Sequence, residues 1–168
     1  MPSIKKDLYA KTDRFNAIDA ETAAFNENND CAVKAVALVC DVTYADAHAK
    51  LKELGREDGE PTTREATEAA LNAFGFKLIE VDPAAYIADY PGVHKGLRNV
   101  TSHHPDRFKD VWADEQTYLF GTKGHVLAVI NGTNHDWTRG SAKRVRTVHA
   151  VVPKTAKASK YLKSRGAA

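Results

Sequence analysis

A histidine and an aspartate in the last third of the chain have the spacing that nucleophilic catalysis requires. Between His125 and Asp136 an alternating apolar segment runs into Asn131-Gly132, the dipeptide most typical of a two-residue type I′ hairpin turn. This turn predicts three pairs: Ile130 with Thr133, Leu127 with Asp136, and His125 with Thr138. His125 and Asp136 are then diagonal neighbours on one face, about 7–8 Å apart. A histidine oriented by an acid is the base of a nucleophilic triad.

The chain also carries a candidate nucleophile, Cys31. The polar segment Asn26–Asp30 is followed by Cys31–Cys40, which is apolar on nearly every face and therefore predicts a buried helix beginning near Cys31. At that position the helix dipole favours a thiolate, and nearby N–H groups can stabilise an oxyanion. A free cysteine is also commonly an inert core residue, which is our interpretation of Cys40. Likewise, His125 alone could be an edge residue and Asp136 alone a surface acid.

Capping residues and periodicity predict the elements that position these side chains. The predicted helices are one near Ala17–Phe25 entered through Asp19 or Thr22, Tyr44–Leu54 capped by Thr43, about Arg64–Phe74 capped by Thr62 or Thr63, and a short one in 83–90. The predicted strands are 76–81, 116–121, the two arms of the hairpin, and 143–152. Residues 91–115, with several histidines, are expected to form a short helix and a loop. This loop would border the cleft in which a substrate binds. Because helices precede an antiparallel sheet, we predict an α+β fold.

Length and charge predict one domain with a distinct tail. A chain of 168 residues suits a single domain, which we place at 1–153, followed by a basic tail at 154–168. From Arg139 to the end there are nine Lys or Arg residues and no acid, a charge of +9. Because the net charge of the whole chain is +2, residues 1–138 together have a net charge of −7. Such a segment solubilises the terminus or contacts nucleic acid or another acidic partner.

Several classes of protein lack support in the sequence. There is no apolar run of the roughly 20 residues that span a membrane, and no signal-peptide core. Cys31 and Cys40 on one helix would be about 13.5 Å apart along its axis, too far for a disulfide. We therefore expect a cytoplasmic protein with free thiols. Neither a Walker loop, a G-x-G-x-x-G motif nor a His-Glu-x-x-His pair occurs, so we expect no cofactor and no metal.

Two motifs resemble those of the papain-like cysteine peptidase superfamily, in particular its small bacteriophage-borne members. One is the N-N-D-C-A-x-x-A-x-A helix, here Asn28–Ala37, and the other is the G-H-x-x-A-V-x-x-G-x-x-x-D hairpin, here Gly124–Asp136. The likeness covers the helix around Cys31 and the segment near 97–137, about half the chain. It implies a papain-like fold with a nucleophile helix packed on a C-terminal antiparallel sheet.

The resemblance also implies a role for each residue of the triad. Cys31 would be the nucleophile, His125 the general base and acid, and Asp136 the residue that orients His125. Papain supplies an oxyanion donor from a glutamine about six residues before its cysteine, where this chain has Phe25. Asn28, or else Asn26, is the substitute that we expect.

The expected function is a cysteine hydrolase that cleaves an amide, isopeptide or thioester bond through an acyl-enzyme. Its partner would be a peptide or protein substrate, with a host protein as one candidate if the chain is phage-encoded and acts in the host cytoplasm. One alternative is a catalytically silent papain-like module that binds and modulates a host protein. The other is a nucleic-acid binder that uses the basic C-terminal segment.

Overall fold

The computed structural model of the protein describes residues 11–81, 116–131, 133–138 and 145–157. Four α-helices come first: α1 Asp13–Glu21, α2 Cys31–Cys40, α3 Tyr44–Glu53 and α4 Arg64–Ala73. A single 3₁₀ turn, Thr22–Ala24, follows α1. Five strands complete the order: β1 Phe76–Glu80, β2 Thr117–Thr122, β3 His125–Ile130, β4 Thr133–His135 and β5 Thr147–Pro153. The fold is α+β, as the order of patterns in the sequence predicts.

The five strands form one antiparallel sheet in the order β1-β5-β2-β3-β4. The last strand is therefore inserted between the first two, and β2 and β3 form a hairpin beside it. This arrangement places the N-terminal end of β3 and the middle of β5 on either side of β2. Side chains from both strands can consequently face one site.

Helix α2 lies at the centre of the core because its sequence offers no polar face. Its residues from Ala32 to Cys40 are buried with the single exception of Lys34. The helix packs on β3 and β2 and is flanked by the other three helices. Apolar side chains of the opposite sheet face, including Tyr118 and Phe120, form a second buried cluster. Burial on both faces explains why β5 is apolar at nearly every position from Val148 to Val152.

Two of the predicted elements have the wrong bounds. The first helix begins at Asp13, not near Ala17, because the Thr12 hydroxyl accepts a hydrogen bond from the Phe15 N–H and caps it. The predicted entry residue Asp19 lies inside this helix, and Thr22 begins the 3₁₀ turn. The last strand begins at Thr147 instead of 143.

Except for the second arm of the hairpin, which ends at His135, the other predicted elements that fall on described residues agree with the structure to within one or two positions. Thr43 and Thr63 cap α3 and α4 through their hydroxyls, and Gly55 and Gly75, which follow the two helices, have positive φ. The predicted short helix at 83–90 and the segment 91–115 lie outside the described residues. None of the described helices is long and apolar enough to cross a lipid bilayer.

A buried ion pair fixes the loop that leads into α2. Both carboxylate oxygens of Glu27 accept hydrogen bonds from Arg56, each at 3.0 Å, and the two side chains are at most 1% exposed. Glu27 also accepts from the Gly59 N–H, while Arg56 donates to the Asn29 carbonyl. These contacts join the loop before Cys31 to the loop after α3. They therefore restrict where the first turn of α2 can lie.

We predict that Glu27→Gln destabilises the protein by about 3 kcal/mol at neutral pH, because it leaves Arg56 buried without its counter-charge. The Arg56 hydrogen bonds lower the pKa of Glu27 from 4.5 to about 2. A carboxyl with a depressed folded pKa stabilises the protein above its unfolded pKa, and this contribution is lost as the pH falls from about 4.5 towards 2. Urea unfolding at several pH values measures both effects.

The matched control is Glu53→Gln, which removes an exposed carboxylate that pairs with Lys50 on α3. Because exposed pairs contribute little, we expect a change below about 1 kcal/mol. Equal effects of the two substitutions would contradict a structural role for the Glu27–Arg56 pair.

Candidate active site

The β3–β4 hairpin contains the predicted two-residue turn. Ile130 pairs with Thr133, and Asn131 has a φ of 50°, as the first central position of a type I′ turn requires. The predicted pairs of Leu127 with Asp136 and of His125 with Thr138 are wrong as strand pairs. The ladder ends at Ala128 and His135, and the chain bends at Asp136.

This bend brings Asp136 next to His125. The sequence predicts the same proximity, but from continued pairing of the two strands. His125 Nε2 and Asp136 Oδ2 are 2.7 Å apart, and the side chains are only 10% and 6% exposed. Asp136 Oδ2 also accepts hydrogen bonds from the Thr138 N–H and hydroxyl, at 3.2 and 2.8 Å. The carboxylate is thus held by its own bend and in turn fixes the imidazole ring.

The environment of His125 favours the imidazolium form. Burial lowers the pKa of His125, but hydrogen bonds with Asp136 and Cys31 and their negative charges outweigh it and raise the pKa from 6.5 to about 9. Because Nε2 is held by Asp136, the other ring nitrogen, Nδ1, is the one left for the cysteine. The ring can therefore hold a proton next to the sulfur at neutral pH.

Cys31 is the first residue of α2 and is partly buried. Burial raises the pKa of its thiol, yet the hydrogen bond with His125, the Val126 N–H, the charge of His125 and the Ala32 N–H together hold that pKa below the ordinary value of 9.0. The sulfur therefore lies between the first turn of α2 and the start of β3. A lowered thiol pKa beside a raised imidazole pKa favours a thiolate–imidazolium pair.

Cys40, at the other end of the same helix, shows the thiol pKa that burial alone produces. It is 8% exposed, and burial alone raises the pKa of its thiol to about 12. Among the described residues, no charged neighbour reverses this effect. The contrast agrees with the interpretation of Cys40 as an inert core thiol.

Trp137 covers the histidine from outside. Its ring centroid is 5.2 Å from that of His125, although the residue is 45% exposed. This position does not fit an ordinary core residue. It fits a ring that limits the access of water to the contact between His125 and Asp136.

The predicted oxyanion donors Asn28 and Asn26 lie in the exposed loop before α2. Neither lines the cavity that contains Cys31 and His125, so their role stays a prediction. Asp30, the residue before Cys31, makes no side-chain cap on α2, because Tyr44 and Lys34 contact its carboxylate. The first N–H groups of α2 are thus not taken by a capping side chain.

A cavity of about 360 Å³ opens beside Cys31 and His125. Its lining is mainly apolar, but six polar side chains contribute to it besides Cys31 and His125, namely Thr62, Arg64, Thr67, Thr122, Thr147 and His149. We did not predict these residues as part of a site. The only pattern in the sequence that bears on them is the alternation along β5, which places Thr147 and His149 on one face.

One cluster of potential metal ligands occurs among the described residues, formed by Glu27, His48 and Asp58. Its ligand atoms lie within 4.8 Å of one another. Both oxygens of Glu27, however, already accept hydrogen bonds from Arg56, and a cation there would lie against the guanidinium. The cluster is better explained as part of the ion-pair network that fixes the loop.

Comparison with protein-family models, with curated proteins and with solved structures found no match for this chain. What the site can do is therefore inferred from its own geometry and chemistry.

We predict that Asp136→Asn lowers the pKa of His125 by at least about one unit from its value near 9, because it removes an opposite charge in contact with the ring. An NMR titration of the His125 ring protons measures this shift. Thr138→Val, which removes one hydroxyl donor to the carboxylate, is the control and leaves the charge in place. An unchanged His125 pKa in Asp136→Asn would contradict the electrostatic role of Asp136.

Proposed function

We propose that the protein is a cysteine hydrolase in which Cys31, His125 and Asp136 form a catalytic triad. The observation that supports it best is that Cys31 and His125 line the same cavity, while His125 Nε2 lies 2.7 Å from the buried Asp136 carboxylate. The lowered pKa of Cys31 suits a nucleophile, and the raised pKa of His125 suits a residue that holds a proton next to it. The substrate is a peptide or protein, cleaved at an amide, isopeptide or thioester bond.

In the first step, the Cys31 thiolate attacks the substrate carbonyl carbon, and the carbonyl π electrons move to oxygen. The resulting oxyanion lies near the N–H groups at the start of α2, which are not capped by a side chain. For an amide substrate, the His125 imidazolium then donates its proton to the departing nitrogen as the carbon–nitrogen bond breaks. The acyl group remains on sulfur as a thioester.

In the second step, neutral His125 takes a proton from a water molecule, which attacks the thioester carbonyl. The intermediate collapses, the thiolate leaves, and the carboxylic acid product is released. Asp136 keeps the ring in one orientation and stabilises the imidazolium when it forms. Trp137 restricts water near the His125–Asp136 bond, which strengthens that bond.

We further infer that the domain is a small papain-like member of the bacteriophage type. Support comes from the order of the parts: a helix that begins at the cysteine, then an antiparallel sheet that carries the histidine, and then the acid in the bend after the next strand. In the papain-like pattern the residue that orients histidine also follows it on the next part of the sheet. Phe25 departs from that pattern, since its ring packs on Tyr44 and His48 and offers no oxyanion donor.

The proposal predicts rapid and selective alkylation of Cys31 by iodoacetamide at pH 6. At this pH the thiolate fraction of an ordinary cysteine is below about 1%, whereas the imidazolium of His125 stabilises the Cys31 thiolate. We expect His125→Ala to slow labelling at least tenfold. Peptide mass spectrometry after timed quenching measures the rate at each cysteine.

Cys40 is the internal control, because its buried thiol should remain unlabelled while the protein is folded. Labelling of Cys31 at the rate of an unperturbed thiol, unchanged in His125→Ala, would refute the hydrolase proposal. The silent-module alternative predicts this same slow rate, together with host-protein binding that survives Cys31→Ala.

A further inference from the structure

The cavity next to the triad extends to a polar group that hydrolysis itself does not require. Arg64, at the first position of α4, and His149, in the middle of β5, both line it together with Cys31 and His125. Arg64 Nη2 and His149 Nε2 are 2.9 Å apart. A helix and a strand that are far apart in the chain therefore meet at the wall of this cavity.

The Arg64 guanidinium has capacity left for a ligand. Of its five N–H donors, one points to His149 and one to Glu68 Oε1 at 3.3 Å. In the part of the chain that the structure describes, the guanidinium makes no other hydrogen bond. Its pair with Glu68 is exposed, with side-chain exposures of 60% and 45%, and so offers only weak competition to a ligand.

His149 orients this guanidinium without cancelling or opposing its charge. The residue is 7% exposed, and burial followed by the charge of Arg64 lowers the pKa of His149, although Glu80 and Glu68 act in the opposite direction. A neutral imidazole accepts one hydrogen bond from Arg64 through Nε2. The remaining donors of the guanidinium fork stay available on the cavity side.

A second group in the lining also lacks a partner. The Thr62 hydroxyl is buried and, among the residues described, makes no hydrogen bond. A buried hydroxyl without a partner is costly, and a ligand oxygen would satisfy it. Leu78 and Leu119 also line the cavity, and their apolar side chains suit the carbon chain that carries a charged head group.

We propose that this cavity binds a substrate carboxylate through Arg64, so that the preferred substrates carry an acidic side chain or a free C-terminal carboxylate close to the cleaved bond. The proposal rests on the hydrolase function for the identity of the site, since Cys31 marks where the bond is cut. Planar guanidinium and carboxylate groups match in a two-point hydrogen-bonded geometry. Arg64 is then the residue that determines specificity, held in place by His149.

The test uses chloroacetyl peptides, in which the Cys31 sulfur displaces chloride and forms a thioether. Three probes separate the sources of the carboxylate: chloroacetyl-Gly-Glu-amide, chloroacetyl-Gly-Gln-amide and chloroacetyl-Gly-Gln with a free terminus. The same three are made without the glycine, to vary the distance from sulfur. Saturation of the alkylation rate gives the half-saturating concentration of each probe, and each rate is divided by that for iodoacetamide on the same variant.

We expect one of the carboxylate probes to half-saturate at a concentration about tenfold lower than the neutral probe, as one charged hydrogen bond would give. Arg64→Gln should abolish this preference. Lys52→Gln should keep it, because it removes an equally exposed positive charge on α3 that pairs with Asp58 and does not line the cavity. The preferred carboxylate probe tells an acidic side chain from a free terminus.

Equal half-saturation by all probes, or a preference that persists in Arg64→Gln, would overturn the carboxylate proposal. The second result would mean that the His125 imidazolium alone attracts the anion. The measurements are repeated at pH 9, where any accessible thiol reacts. The two proposals can therefore fail separately. Slow iodoacetamide labelling at pH 6 would refute the hydrolase function, and the comparison of probes at pH 9 would still decide the role of Arg64.

Discussion

The short hydrogen bond between His125 Nε2 and Asp136 Oδ2 is the contact on which the chemistry of the site depends. It uses one ring nitrogen, leaves the other for Cys31, and compensates for the burial that would otherwise make the imidazole neutral. This contact is the largest cause that raises the pKa of His125, and His125 together with the Val126 and Ala32 N–H groups lowers the pKa of Cys31. Without these groups, the sulfur at the start of α2 would resemble Cys40, whose pKa burial alone raises.

The rest of the fold fixes the position of Cys31 relative to the His125–Asp136 pair. Helix α2 is buried on nearly all sides, so it cannot rotate or slide without exposing apolar surface, and Cys31 at its end is fixed against β3. The Glu27–Arg56 pair holds the loop before the helix. On the other side, the two-residue turn and the bend at Asp136 fix the carboxylate. The reactive groups therefore lie on rigid elements and the preceding loop is anchored, which suits a site that must be preorganised.

Local patterns in the sequence were sufficient to predict the helix that begins at Cys31 and the proximity of His125 to Asp136. Capping residues located the starts of α3 and α4, the change from polar to apolar residues located the start of α2, and the Asn131 turn located the hairpin, because each signal depends on a few adjacent residues. The pairing of Asp136 was wrong, since the carboxylate reaches His125 from a bend after β4 ends. Arg64 and His149 were missed because they lie 85 residues apart in the chain. They meet only because β5 is inserted between β1 and β2, which no local pattern reveals.

The state of the Cys31 sulfur is the property that distinguishes an activated nucleophile from a core thiol. Thiolate absorbs near 240 nm, so the difference in absorbance between the native protein and Cys31→Ala, followed with pH, reports this sulfur alone. A thiolate already present at pH 6, and lost from that pH when His125 is replaced by alanine, is the expected result. A thiolate that appears only near the ordinary cysteine pKa of about 8.5, with or without His125, would contradict the triad.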